Sequence, residues 1–144
     1  MYQALTAIIF VAFLQSAAAQ TGPVGHWQTV DEKTQQPKSQ VHITESGGVL
    51  SGKVQKLLSK DAQQDAVCTE CNDDRKGAPV LGLEIIRGAQ KAEGKDVWEG
   101  GKILDPENGK TYTLRLTPMD GGQKLHVRGS IGPFGRTQTW TRVQ

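Results

Sequence analysis

Short alternations of apolar and polar residues, each ended by glycine, proline, asparagine or aspartate, run through this chain and restrict it to an antiparallel β-fold. Successive side chains of a strand point to opposite sides, so a strand with one buried face must alternate. Residues 111–117 do so cleanly: Tyr112, Leu114 and Leu116 share one face, Thr113 and Arg115 the other. Leu125, Val127 and Ile131 share a face within residues 124–131. Strand-like segments also cover residues 27–30, 41–45, 49–57, 80–87, 97–104 and 134–143. The turns between them have a mechanism. Gly47-Gly48 permits a tight reversal, and Asp120-Gly121-Gly122 turns the chain again. In Asp105-Pro106-Glu107-Asn108-Gly109, proline presets φ, Asp105 caps turn amides and Gly109 takes the left-handed position.

These segments amount to about eight strands joined mainly by hairpins, with no αβ alternation to build a parallel sheet. The expected architecture is all-β: an up-and-down barrel, whose closure removes exposed edges, with a β-sandwich as the alternative. The longest irregular stretch, residues 59–79, lacks an amphipathic stripe, so it needs no stable helix.

Residues 1–19 are expected to be a cleavable signal peptide. They carry no charged side chain, are almost continuously apolar from 4 to 14, and close on Ala17-Ala18-Ala19. The apolar run is short for a membrane-spanning helix, and no cysteine stands at the cleavage point to carry a lipid. Residues 20–144 then suit a single domain, exported to the periplasm or beyond, with no membrane span after cleavage and a monomeric state expected. The 17 basic and 15 acidic residues are interspersed, and a net charge of +2 argues against dedicated nucleic-acid binding.

Several stretches read together. They are Gly25-His26-Trp27-Gln28-Thr29, Cys68-Thr69-Glu70-Cys71, Pro79-Val80-Leu81-Gly82-Leu83, the run from Gly101 to Tyr112, Leu125-His126-Val127-Arg128-Gly129 and Phe134 to Trp140. Their order and wording resemble the bacterial secreted family catalogued as domain of unknown function 2147, from about Gly25 to Arg142. The resemblance implies an exported protein with a lipocalin-like β-barrel. It carries over no catalytic residue, because the family has no established common reaction. A looser similarity is to lipocalins, which place Gly-x-Trp on the first strand and pack a late basic side chain over that tryptophan. Gly25-His26-Trp27 fits the first part, and Arg142 is the candidate for the second, with Arg128 as alternative. Trp27 would plug one barrel end under a cation–π lid.

Cys68 and Cys71 are the only cysteines, and in an exported protein a pair is expected to form a disulfide. A redox role needs a low-pKa thiolate, and Glu70, Asp73 and Asp74 would raise a thiol pKa. His26, His42 and His126 show no paired spacing, so neither a metal site nor a cofactor is expected.

Arg136, Gln138, Trp140 and Arg142 recur at period two and share a face with Phe134. Two arrangements satisfy this pattern. In one the face points inward, and the arginines hold an anionic headgroup while apolar residues take a tail. In the other the arginines point outward, or plug the barrel ends by pairing with Glu84, Glu99 or Asp105. Glu84, inside the apolar run, reads as a raised-pKa acid or as the counter-ion of an arginine. Glycines at 52, 82, 100 and 129 fall in strand positions and imply either interior space or tight curvature. Lys53, Lys56, Lys60, Arg75 and Lys76 read as solvated surface.

The expected function is binding of a small amphiphilic or anionic ligand, with Arg136, Gln138, Trp140, Arg142 and Glu84 as candidate contacts. Trp27, Arg128 and Asp105 are the candidate structural residues. The alternative is an envelope interaction module with a filled barrel, a protein partner and residues 59–79 as its recognition surface. No two cooperating groups with a stabiliser are readable from spacing, so an enzyme is not expected.

Overall fold

Each alternating segment pairs with its neighbour in the chain, and the last returns to the first. The computed structural model describes Ala12 and residues 20–144; the expected signal peptide, Ala12 apart, lies outside the described residues. The strands are β1 (Gly25–Val30), β2 (Pro37–Ser46), β3 (Val49–Leu57), β4 (Glu84–Lys91), β5 (Trp98–Leu104), β6 (Thr111–Met119), β7 (Lys124–Ile131) and β8 (Phe134–Arg142). They form a closed antiparallel barrel in the order β1 to β8. A single 3-10 turn, Asp120–Gly122, joins β6 to β7. The barrel therefore replaces the sandwich alternative.

The chain-neighbour pairs are long. β7 and β8 stay in register from Lys124↔Thr141 to Ile131↔Phe134. The closing seam is short: β1 meets β8 only at Trp27↔Arg142 and Gln28↔Thr141. Beyond Gln28, β1 runs on to Val30 paired with β2 alone, and its side of β8 is bridged by side chains.

The fourth strand lies about four residues later than residues 80–87. The apolar residues ahead of it serve a connection rather than a strand. Gly82 sits at φ 85, its N–H donates to the Val54 carbonyl at 2.8 Å, and the Val54 N–H donates to Leu83 at 2.9 Å. Leu83 is buried there. The strand then runs through Gly88, at φ 83, where the register shifts, so the next turn falls at 92–97. The turn before β2 covers 31–36, closed by the Asp31 N–H donating to the Gln36 carbonyl at 2.9 Å. The Asp31 carboxylate accepts from the Lys33 and Thr34 amides, each at 2.9 Å, and Pro37 already belongs to β2.

The interior is unevenly filled. Trp27, Val41, Ile43, Leu50, Ile86, Leu114, Leu116 and Leu125 are sealed from solvent. Burial of such a side chain contributes about 1.5–3 kcal/mol. They pack the half of the barrel that holds the start of β1 and the end of β8. At the opposite end stand the connections 31–36, 58–83, 105–110 and 132–133, and there the interior opens into a cavity.

Candidate functional site

The closed end is built on Trp27. Its indole N–H donates to the Pro23 carbonyl at 2.8 Å, and the Arg142 guanidinium lies over its ring, 4.3 Å from the centroid. No carboxylate meets Arg142. Instead it donates to the carbonyls of Gly122 (2.7 Å), Val24 (2.8 Å) and Gly22 (2.6 Å), and to Gln20 Oε1 (3.1 Å). Desolvation pushes its pKa below the ordinary value. Gly25 explains the Gly-x-Trp pattern. It takes φ 135, and a Cβ there would collide with the Arg142 guanidinium. Arg142, not Arg128, is thus the lid on Trp27. Arg128 is exposed on the outer wall, directly across from Arg115 on β6.

The open half holds a cavity of about 520 Å³, within the usual range of small-ligand sites. Its deep wall is apolar, with Val54, Ile85, Ile103, Val127 and Trp140 contributing. Ile85 reaches it because β3 and β4 shift register beside Gly52, so Ile85 and Ile86 both turn inward. Gly129 also lines the cavity, where Tyr112 packs over it at 3.2 Å from the position a Cβ would take. At Gly52, likewise, Ile86 fills the position its Cβ would occupy. Gly100 marks a register shift in β5, and Gly82 lies outside any strand.

Polar groups gather at the mouth and are linked. The Trp140 indole N–H donates to Gln138 Oε1 at 3.1 Å, and Gln138 Nε2 donates to Glu32 Oε1 at 2.8 Å. Arg136 Nη1 meets the other oxygen of Glu32 at 2.8 Å. This chain spans the gap between β1 and β8. Lys38 pairs with Glu107 at 3.0 Å on the far side. The inward face of β8 is therefore the Arg136–Gln138–Trp140–Arg142 face, and Thr137, Thr139 and Thr141 face solvent. The two arginines do not converge on one site. Arg136 lines the mouth, while Arg142 closes the opposite end.

Glu84 is not in the cavity. It lies on the outer wall, opposite Lys53, accepts from the Ser51 hydroxyl at 2.7 Å and pairs with Arg87. Burial acts to raise its pKa, but the bonds from Ser51 and Arg87 outweigh it and hold the carboxyl below its ordinary range. That is the reverse of what a general acid needs. Glu99 pairs with Arg115 at 3.3 Å, and Asp105 accepts from the Glu107 amide at 2.9 Å within its turn. None of these three carboxylates plugs a barrel end against Arg136 or Arg142.

The connection 58–83 forms a structured flap over the mouth. Cys68 and Cys71 are joined in a disulfide. The flap meets the β5–β6 turn closely: Cys68 Sγ lies 3.8 Å from the Pro106 carbonyl oxygen, and a Cβ on Gly109 would overlap the Glu70 carbonyl. Gly109 is at φ 71, so glycine is required there twice over. Arg75 is buried, not solvated. Its Nη1 donates to the Glu84 carbonyl at 2.8 Å, and Asp73 receives its other side. Arg75 hydrogen bonds hold the Asp73 carboxyl down at about 2.

Tyr112, on the face its period shares with Leu114 and Leu116, also lines the cavity, as do Glu32 and Lys38, which carry no motif. The only sequence signal of those two is placement at the open-end termini of strands or turns. His26 and His42, which spacing left apart, stack in direct register on the outer wall with ring centroids 4.0 Å apart. Among the described residues, no three histidine, cysteine or carboxylate side chains gather as a metal site.

An eight-stranded closed barrel, plugged at one end by a tryptophan under an arginine and hollow at the other, defines a lipocalin-like protein. The solved structure of HP1028 from Helicobacter pylori, described as belonging to the lipocalin family, has the same fold. The two align with a TM-score of 0.73 at 22% identity, covering 87% of this chain and 85% of that one. Residues 25–142 match the family described as "Uncharacterized protein conserved in bacteria", domain of unknown function 2147, and the chain belongs to that family. No curated protein matches the chain.

Proposed function

We propose that the protein is exported across the bacterial inner membrane and binds a small amphiphile in the open half of its barrel. The observation that carries this reading is the cavity of about 520 Å³, apolar at depth and polar at the mouth. A tail would lie against Val54, Ile85, Val127 and Trp140. A polar head would sit beside Gln138 and Arg136, exchanging with the Glu32 carboxylate that now bonds both. An anionic head competes with Glu32 for Arg136 directly, which favours a carboxylate or phosphate-like group. Export is supported by the leader-like residues 1–19, the bacterial family and the Cys68–Cys71 disulfide. Binding rather than catalysis is the proposed role, since Glu84 lies outside the cavity with its charge already satisfied.

Native mass spectrometry of unreduced protein from the periplasm tests this. The proposal expects an adduct of discrete mass that is lost on denaturation. A clean ligand-free mass, unchanged after incubation with amphiphiles, would sink it and favour an interaction module.

A further inference from the structure

The β7–β8 hairpin carries the largest exposed apolar side chain of the described residues. Phe134 is 79% exposed, and Ile131, paired directly with it, is 52% exposed. Only Gly132-Pro133 separates them, so the tip reads Ile-Gly-Pro-Phe. Both sit beyond the mouth on the cavity side of the hairpin, in line with Gly129 and Arg136. Nothing in the barrel's packing needs them there. Leaving two large apolar side chains in water loses the burial each could contribute.

The hairpin itself carries charge of one sign. From Lys124 to Arg142 it contains no aspartate or glutamate; Arg128 and Arg136 stand toward the tip, while Lys124 and Arg142 lie at its far end, where Arg142 caps Trp27. Arg128 has no ion pair among the described residues, and Arg136, though paired with Glu32, remains 72% exposed. Register extends the basic flank. Lys102 stands across from Thr113 on β6, whose other neighbour is Ser130 at the end of β7. The mouth-end carboxylates lie on the other connections: on the flap, in the 31–36 turn, where Glu32 is paired with Arg136, and in the 105–110 turn, where Glu107 is paired with Lys38.

We infer that the β7–β8 tip docks the barrel mouth-first on an anionic phospholipid surface. Ile131, Pro133 and Phe134 enter the headgroup region, and Arg128, Arg136 and Lys102 meet lipid phosphates. A two-residue apolar tip is far too small for a stable protein interface, which buries about 800 Å² per partner. It suits shallow insertion, where a little apolar burial and a few cations act together. Such docking would also bring the cavity against the phase from which an amphiphile could be drawn, but it does not depend on the cavity being occupied.

Flotation of residues 20–144, which close the barrel by themselves, with phosphatidylglycerol-containing vesicles and with pure phosphatidylcholine vesicles tests this inference. The inference expects binding to the anionic vesicles that weakens as salt is raised. Ile131→Ser with Phe134→Ser should lower that partition by about tenfold or more, and Arg128→Gln with Lys102→Gln should weaken it and flatten its salt dependence. Circular dichroism and uptake of an apolar probe should be unchanged in the tip variant, which separates docking from ligand binding. No binding to anionic vesicles, or binding that the tip variant retains, would overturn the inference. So would a concentration-dependent dimer that the tip variant abolishes, because the patch would then belong to a second copy.

Discussion

The two halves of this barrel use the same strands for opposite ends. On β7, Leu125 is sealed in the packed half, and Val127, two residues on and facing the same way, lines the cavity. On β8, Arg142 is locked over Trp27 by backbone carbonyls, and Arg136 stands at the mouth with most of its surface in solvent. One inward face thus passes from core to cavity wall within a few residues. Packing supplies stability at one end, and the other end is left hollow.

The sharpest test of that contrast is a matched pair of truncations. Leu125→Ala should destabilise by about 2–5 kcal/mol, because it opens a hole in filled space. Val127→Ala should cost about 1 kcal/mol, because its neighbour is already a cavity, and should instead alter amphiphile affinity. Urea denaturation of both variants measures this, and equal losses would break the comparison. The arginines form a second pair. Arg142→Ala should cost about 2–4 kcal/mol through its lost carbonyl bonds and ring contact. Arg136→Ala should stay within about 0.5 kcal/mol, as an exposed ion pair contributes little.

The smallest expected effect lies in the flap. Asp73 is held at about 2 by the Arg75 side chain and amide, against an ordinary 3.8. A carboxyl depressed on folding adds stability that is complete above the unfolded value and is lost as pH falls through the folded one. The urea midpoint should therefore fall between pH 4 and pH 2, and Asp73→Asn should reduce the slope of that fall. An unchanged slope would mean the Asp73–Arg75 pair is not formed in solution.

The architecture was legible because alternation and turn chemistry are local. Leu114, Leu116 and Leu125 declare their face, and Asp105 to Gly109 declares its turn. The displaced fourth strand shows where locality fails. Val80 to Leu83 is apolar because it tucks beneath β3, a tertiary contact that no period marks. The Trp27–Arg142 plug was readable from Gly-x-Trp and a late arginine. The cavity was read only in part. Gln138 and Trp140 were found through their period. Arg136 was found with them, but its partner Glu32 lies 104 positions away in a polar turn. Glu84 is the counter-ion of an arginine, one of its two readings, but it is no cavity contact, because the register shift turns Ile85 and Ile86 in and leaves Glu84 out. Arg75 was read as surface since nothing local shows that its guanidinium reaches the Glu84 carbonyl.

The central claim is that one half of the barrel is hollow and takes an apolar chain. It is tested most directly by tryptophan quenching with a long-chain amphiphile brominated along its tail. Trp140 lines the cavity, whereas Trp27 is sealed at the packed end and Trp98 opens β5 at that same end, so the first reports on one half and the other two on the other. The account predicts saturable quenching in the wild type, most of it absent in Trp140→Phe, with the emission of Trp27 and Trp98 retained. Unsaturable quenching, or a saturable loss that persists undiminished in Trp140→Phe, would contradict it.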